Sequence, residues 1–530
     1  MHGPYAVSVR CGCLLLCAVA VAAAADQVKV EGGVLEGIAG ADPSVRIFEG
    51  VPFAAPPVGA LRWQAPQPAA AWTGVRKADQ FGARCYQGSI FGDMIFRDKG
   101  ISEDCLYLTV WTPSPAPAAK KRLRLPVLVY FHGGGFVAGS GDEPRYDGTN
   151  FARKGIIVVT VNYRLGVFGF LAHPELTAES PHKASGNYGM LDQVAALQWV
   201  QRNIAAFGGD PAKVTIGGES AGSAAVSALM VSPLAAGLFR GVIGESGAMF
   251  NTGGALAAQP LDKAEQAGAS FATTFGVKSL ADLRTASAED VLKCATKGGP
   301  MRFGMIIDGY FLPAEPASIY TAGKQAHVAL LAGWNADEVR GSVLSAKQKP
   351  TAASFHGQLS ARFGDKADAA AKVYAASTDE EALATAGDLA SDTFIVYSTW
   401  KWIEMQSATG QAPVYRFRFD RPVPLPEGMT IPGVKGLAGH SWELEYVFGA
   451  LDSKKAAWAP EDRKASEEIA GYFANFVKTG NPNGGGLARW PAFAKTHQVM
   501  HLDAASHAAP EEHRDRYEFL DAFYTSAVKK

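Results

Sequence analysis

At 530 residues the chain exceeds an ordinary domain but not a large α/β unit, so length alone leaves the domain count open. Its 50 basic residues against 51 acidic ones give a net charge of −1, which removes any electrostatic case for nucleic acid or an anionic membrane surface as partner. With 48% apolar and 19% charged residues and no internal repeat, the composition excludes disordered, fibrous and repeat architectures.

The first predicted segment is a signal. Arg10 precedes an apolar run that begins at Cys11 and closes in Ala23-Ala24-Ala25 before Asp26. Such a run is too short to span a bilayer and ends in small residues, so residues 1–25 read as a secretory signal and 26–530 as one domain, secreted or periplasmic. A lipid anchor at Cys17 is the competing reading, although Leu15 and Leu16 are bulky for such a site. Nothing later resembles a membrane span. In an oxidising compartment Cys85 and Cys105 are expected to pair and close a loop, leaving Cys294 as the odd thiol.

Val28 to Gly37 alternates around Gly32-Gly33, which predicts a hairpin. Leu106-Tyr-Leu-Thr-Val-Trp, Leu125-Pro-Val-Leu-Val-Tyr-Phe and Ile156-Ile-Val-Val-Thr-Val are nearly continuous apolar runs, the mark of strands buried on both faces. Between the second and first of these, residues 114–122 read as an exposed loop. Apolar residues at helical spacing (Leu191, Val194, Leu197, Val200, Ile204) predict a crossover helix from Gly186 to Phe207. Val214-Thr-Ile then breaks at Gly217-Gly218, passes Glu219-Ser220-Ala221-Gly222 and enters small, helix-tolerant residues. Ala-rich helical blocks from about Asn251 to Pro300 and Ser354 to Gly410 read as insertions over the strand ends; His327 to Gly333 and Val414 to Phe419 read as later strands. Two helices close the chain, near Glu461 to Lys478 and Glu511 to Ala527. Repeated alternation of strand and helix argues for an α/β fold with a large, mostly parallel central sheet flanked by helices.

Gly218-Glu219-Ser220-Ala221-Gly222 fits G-x-S-x-G, in which small flanking residues let the chain turn sharply and hold a serine hydroxyl above the sheet. Ser220 is therefore the candidate nucleophile, and Ser246, in a similar Gly-Glu-Ser-Gly without the second glycine spacing, takes a supporting place near it. A serine hydroxyl needs a base and a group that orients the base, in the chain order serine, acid, histidine on this kind of sheet. His440, in the Gly-flanked loop Gly439-His440-Ser441, is the candidate base. Asp337 and Glu338 lie just beyond a strand end, and spacing alone does not choose between them. In Phe131-His132-Gly133-Gly134-Gly135-Phe136, consecutive glycines expose backbone N–H groups suited to an oxyanion. Gly134, Gly135 and the amide of Ala221 are the expected donors. No G-K-[ST] follows, so a phosphate loop is excluded. No Cys/His spacing predicts a zinc site, and no metal or cofactor is expected.

With Phe48-Glu-Gly-Val-Pro-Phe-Ala, Pro57-Val-Gly-Ala-Leu-Arg-Trp, Ser102-Glu-Asp-Cys-Leu-Tyr-Leu, Asn162-Tyr-Arg-Leu-Gly and Phe207-Gly-Gly-Asp-Pro, these residues resemble the type-B carboxylesterase family, the group that also contains the cholinesterases. The resemblance covers nearly the whole chain after residue 25. It implies an α/β-hydrolase fold and hydrolysis of carboxylic esters through Ser220, with Glu338 as the acid, His440 as the base, Gly134, Gly135 and Ala221 at the oxyanion, and Cys85 bonded to Cys105. Two departures stand out. The loop between those cysteines carries Tyr86, Phe91 and Phe96 but no tryptophan to attract a quaternary ammonium, which argues against choline esters. No cysteine pair remains for the family's second disulfide.

Arg84, Arg97 and Lys99 at or inside that loop read either as surface charges or as groups that meet a carboxylate-bearing ester. The expected partner is a small-molecule ester, with neither the natural ester nor the oligomeric state written in these motifs. The alternatives are a lipase acting on emulsified esters and a non-catalytic adhesion protein on the same fold.

Overall fold

The apolar runs form a central sheet because each strand buries both faces. A computed structural model describes Gly3 and residues 27–114, 123–250, 256–297, 303–425 and 427–528; the expected signal and most of the expected 114–122 loop lie outside these residues. Among the described residues the sheet has 11 strands: β1 (Ile38–Ala39), β2 (Val45–Pro52), β3 (Tyr107–Pro113), β4 (Leu125–Phe131), β5 (Ile157–Val161), β6 (Gly209–Glu219), β7 (Gly241–Glu245), β8 (Ala329–Asn335), β9 (Val414–Phe419), β10 (Gln498–Leu502) and β11 (His507–Pro510). Their spatial order is β11-β10-β9-β8-β7-β6-β4-β5-β3-β2-β1. Every neighbour pair from β5 to β10 is parallel, and the pairs outside that run are antiparallel. The small hairpin at Gln27–Val30 and Gly33–Glu36 forms as expected, outside this sheet.

Alternate residues of each central strand enter different cores. Val127, Val129 and Phe131 of β4 and Ile157, Val159 and Val161 of β5 face one apolar cluster, while Leu128, Tyr130 and Val158 face the other. Period-two alternation into two dry layers is why these strands carry no polar face. Helix α1 (Tyr188–Asn203) buries Met190, Leu197 and Val200 in the first cluster. A later helix, α5 (Pro460–Thr479), buries Ile469, Phe473 and Phe476 in the second.

Three more helices matter below: α2 (Ala221–Leu229), α3 (Asp379–Ser391) and α4 (Tyr397–Thr409), the last two joined by a π segment at Asp392–Val396. The described residues of the expected insertion after residue 251 include the helices Leu261–Phe275, Leu280–Thr285 and Ala288–Thr296. Among the described residues no helix is long and apolar enough to cross a membrane.

Two of the motifs prove to be each other's ion-pair partners. Arg62 grips Glu103 with two hydrogen bonds of 2.6 Å, joining the Pro57 and Ser102 segments. Arg164 grips buried Asp192 at 2.7 and 2.8 Å, joining β5's exit to α1. Bidentate guanidinium–carboxylate pairs carry direction as well as attraction, so they set how these segments lie. Cys85 and Cys105 form a disulfide, and Cys294 is a half-buried free thiol packed against the first core cluster.

Candidate active site

Four parallel strands, β4, β6, β7 and β8, end side by side at their C-terminal edge, and each delivers one part of the site just past its last residue. Ser220 follows β6 with φ 56° and ψ −118°, a conformation that side chains rarely adopt. Its flanking glycines are required by space. A Cβ on Gly218 would stand 2.4 Å from the Gly222 carbonyl carbon, and one on Gly222 would stand 2.0 Å from the Phe131 carbonyl oxygen. The turn is pinned from β7 by the Ser220 N–H donating to the Glu245 carbonyl at 2.8 Å.

Ser220 Oγ lies 2.9 Å from His440 Nε2, and His440 Nδ1 lies 2.6 Å from Glu338 Oε2. With the Nδ1 proton on the carboxylate side, Nε2 is left to accept from the serine. Glu338 is itself held: its Oε1 accepts from Ser246 Oγ at 2.6 Å and from the Asn335 N–H at 2.8 Å. The His440 N–H donates to the Glu338 carbonyl at 2.9 Å, tying the two loops together. Ser246 therefore has the supporting place expected of it. The pair left open by spacing separates cleanly, for Asp337 accepts from the Ala438 N–H at 2.9 Å and lies 3.5 Å from Arg340, away from the imidazole.

Past β4, His132 stacks on Tyr163 with ring centroids 4.4 Å apart, and burial pushes its imidazole down to about 4, so it stays neutral. Gly134 and Gly135 follow with φ of 103° and 63°. The Gly134 carbonyl accepts from the N–H groups of Val137 and Ala138, which closes a tight turn directly after the glycines. Among the described residues no hydrogen bond takes up the N–H of Gly134, Gly135 or Ala221. The disulfide loop braces this segment through Gln87, whose amide exchanges two 2.8 Å hydrogen bonds with the backbone of Gly139.

Sequence reasoning missed the electrostatics. Glu219 Oε1 lies 3.2 Å from His440 Nε2, beside the serine contact. Burial pushes the Glu219 carboxyl up to about 7 and that of Glu245, which accepts from Tyr130 Oη at 2.9 Å, up to about 8. Glu443, hydrogen-bonded to the Asn335 amide, is also raised by burial. At His440, burial disfavours the imidazolium, but the carboxylates of Glu219 and Glu338 outweigh it and the ring is pushed up to about 9. A carboxylate at the end of the buried run Val214-Thr-Ile-Gly-Gly, just before Ser220, was the available signal for Glu219. Nothing local marks Phe394, whose ring meets the His440 ring edge to face at 5.1 Å.

The loop cations have structural partners. Arg84 pairs with Asp98; Arg97 donates to the Asp142 carbonyl at 2.6 Å and pairs with Asp147 at 3.0 Å; Lys99 donates to Gln80 at 2.5 Å. Among the described residues none of their hydrogen bonds or ion pairs involves Ser220 or His440; their partners belong to the scaffold. Met94 of the same loop is what approaches the glycine segment: its Cε would stand 2.9 Å from a Cβ on Gly134. The described residues offer one cluster with the spacing of metal ligands, Glu404, His497 and Glu511, and Arg514 Nη1 already sits among them at 2.9, 3.2 and 2.7 Å.

The family model described as "Carboxylesterase family" matches residues 24–520. A fumonisin B1 esterase of Sphingopyxis macrogoltabida is 36% identical over 510 residues, 91% of this chain and 88% of its own length. The para-nitrobenzyl esterase of Bacillus subtilis (strain 168) is 35% identical over 479 residues, covering 87% of this chain and 91% of that protein. Among solved structures, a PNB esterase superposes with a TM-score of 0.79 at 33% identity, over 93% of this chain and 99% of the other. A Geobacillus stearothermophilus carboxylesterase does so with a TM-score of 0.78 at 32% identity.

Proposed function

The chain belongs to the carboxylesterase family and is a carboxylic-ester hydrolase, and on that premise we propose that it works through an acyl-enzyme on Ser220. The observation that supports this reading is the unbroken run from Ser220 Oγ to His440 at 2.9 Å and on to Glu338 at 2.6 Å.

Ser220 Oγ attacks the ester carbonyl carbon while His440 Nε2 takes the hydroxyl proton. The carbonyl oxygen gains negative charge and is held by the N–H groups of Gly134, Gly135 and Ala221. Glu338, fixed by Ser246 and Asn335, orients the ring and stabilises the imidazolium; Glu219 adds a second negative charge next to it. The C–O bond to the alcohol breaks as His440 returns the proton to the leaving oxygen. Water then repeats the sequence on the acyl-enzyme and releases the acid. Because the base acts only when neutral, activity falls as pH drops through the His440 value. The neighbouring carboxylates of Glu219 and Glu338 favour the imidazolium, so that point is expected above the ordinary histidine value near 6.5.

The enzyme is taken to act as one unit over residues 26–530, exported by the 1–25 segment to a secreted or periplasmic location. Hydrolysis of a p-nitrophenyl ester by wild type and Ser220→Ala tests the assignment, together with the mass of the trapped intermediate. An acyl adduct on any residue but Ser220 sinks it.

A further inference from the structure

The insertion that covers His440 contains a local departure from helix geometry. Helices α3 and α4 run into one another through the π segment Asp392–Val396. A π segment gives up regular hydrogen-bond geometry and is kept mostly where it serves a site. Most of this one is committed to the fold. Asp392 accepts from Tyr374 Oη at 2.9 Å; Thr393 Oγ1 donates to the Leu389 carbonyl at 2.8 Å; Ile395 and Val396 are buried. Ser391, just before it, accepts from the N–H of Val339 at 3.4 Å, which ties the element to the loop carrying Glu338.

Phe394 is the exception. It is 40% exposed, although every large neighbour in the segment is buried, and its ring stands edge to face against the catalytic imidazole at 81°. A ring of that size left in water forfeits much of its burial free energy, so folding alone does not account for its position.

We propose that Phe394 is a specificity-determining wall that receives the alcohol part of the ester and selects alcohols bearing an aryl or compact apolar group. This rests on the esterase reading above. During acyl transfer the leaving oxygen comes within hydrogen-bond reach of His440 Nε2, about 3 Å, because that atom returns its proton. The carbonyl oxygen is held by the amides of the glycine segment and Ala221. The atoms that continue outward from the leaving oxygen therefore lie along the imidazole, and Phe394, with its centroid 5.1 Å from that ring's, offers them an apolar surface. An aromatic edge and face recognise bulk and polarisability, and the loop cations are engaged by Asp98, Asp142, Asp147 and Gln80. Selection here acts through shape and apolar contact.

The test uses butyrate esters of ethanol and of benzyl alcohol, which share one acyl-enzyme and differ only in the leaving group. For wild type, Phe394→Ala, Phe394→Leu and Phe394→Tyr, kcat/KM is measured on both esters, and the deacylation rate is obtained by partitioning the common butyryl-enzyme between water and methanol. The expected result is a benzyl-to-ethyl ratio of kcat/KM that falls about tenfold in Phe394→Ala, partly in Phe394→Leu, and returns in Phe394→Tyr, with deacylation unchanged. An unchanged ratio overturns the proposal. So does a loss equal for both esters together with slower deacylation, which would make Phe394 an acyl-side wall or a helix brace. A wild type that turns over neither ester overturns the esterase reading instead, and this proposal with it.

Discussion

Replacing Glu219 with glutamine keeps the side chain's shape and removes one negative charge 3.2 Å from His440 Nε2. At that separation and an effective dielectric of about 20, Coulomb's law gives about 5 kcal/mol as an upper bound for a fully ionised pair. Glu219 delivers only part of this, because burial holds its own carboxyl at about 7 and leaves it partly protonated near neutrality. A share of about 1.4–2.8 kcal/mol corresponds to one to two pH units in the histidine's titration, at about 1.4 kcal/mol per unit.

The direction follows from the role proposed for His440 as the base. His440 is active when neutral, and the Glu219 charge favours the imidazolium, so losing that charge lowers the pKa and lets activity persist to lower pH. The same charge stabilises the imidazolium formed in the transition state, so the alkaline plateau of kcat/KM falls by about ten- to a hundredfold. The assay is kcat/KM for an alkyl ester in wild type and Glu219→Gln between about pH 5 and pH 10, with product quantified by chromatography. An acid limb that moves upward, or one that stays put with an unchanged plateau, refutes the reasoning.

Ser246→Ala takes one of the two fixed donors from Glu338 Oε1, and kcat/KM should fall about ten- to a hundredfold in a burst assay that reports acylation; wild-type bursts would exclude that role. Gly134→Ala puts a Cβ 2.1 Å from the Ala138 carbonyl oxygen at φ 103°, so the glycine segment must move and kcat should drop about 100- to 1000-fold, with KM changing less. Cys85→Ser with Cys105→Ser opens a loop with a sequence separation of 20 and should cost about 3 kcal/mol, seen as a lower denaturation midpoint that reductant reproduces in the wild type only. Glu245 holds its proton up to about pH 8 when folded but releases it near the ordinary carboxylate value when unfolded. Its contribution is therefore full below about pH 4.5 and is lost as pH rises through about 8. Glu245→Gln should flatten that alkaline decline, measured by urea midpoints at both ends of the window.

Patterns a few residues long were legible in the chain itself. The apolar runs of β4 and β5 announced strands buried on both faces, and the glycines around Ser220 announced a turn that the Gly222-to-Phe131 approach explains. Chain order brought Ser220 and His440 into one scheme, and the family resemblance picked Glu338 over Asp337. Arg97 and Lys99 show where a local reading stops: a cation in such a loop looks the same in sequence whatever its partner, and only the fold shows Asp147 and Gln80 beside these two.

What the sequence by itself determined is therefore the strand, turn and glycine-segment chemistry, because steric and hydrophobic demands act over a few neighbouring residues. The tertiary structure alone decided how basic His440 is and which apolar surface stands beside it. Glu219, Glu338 and Phe394 reach that imidazole from three separate segments, and burial and charge at a point sum over whatever surrounds it in space.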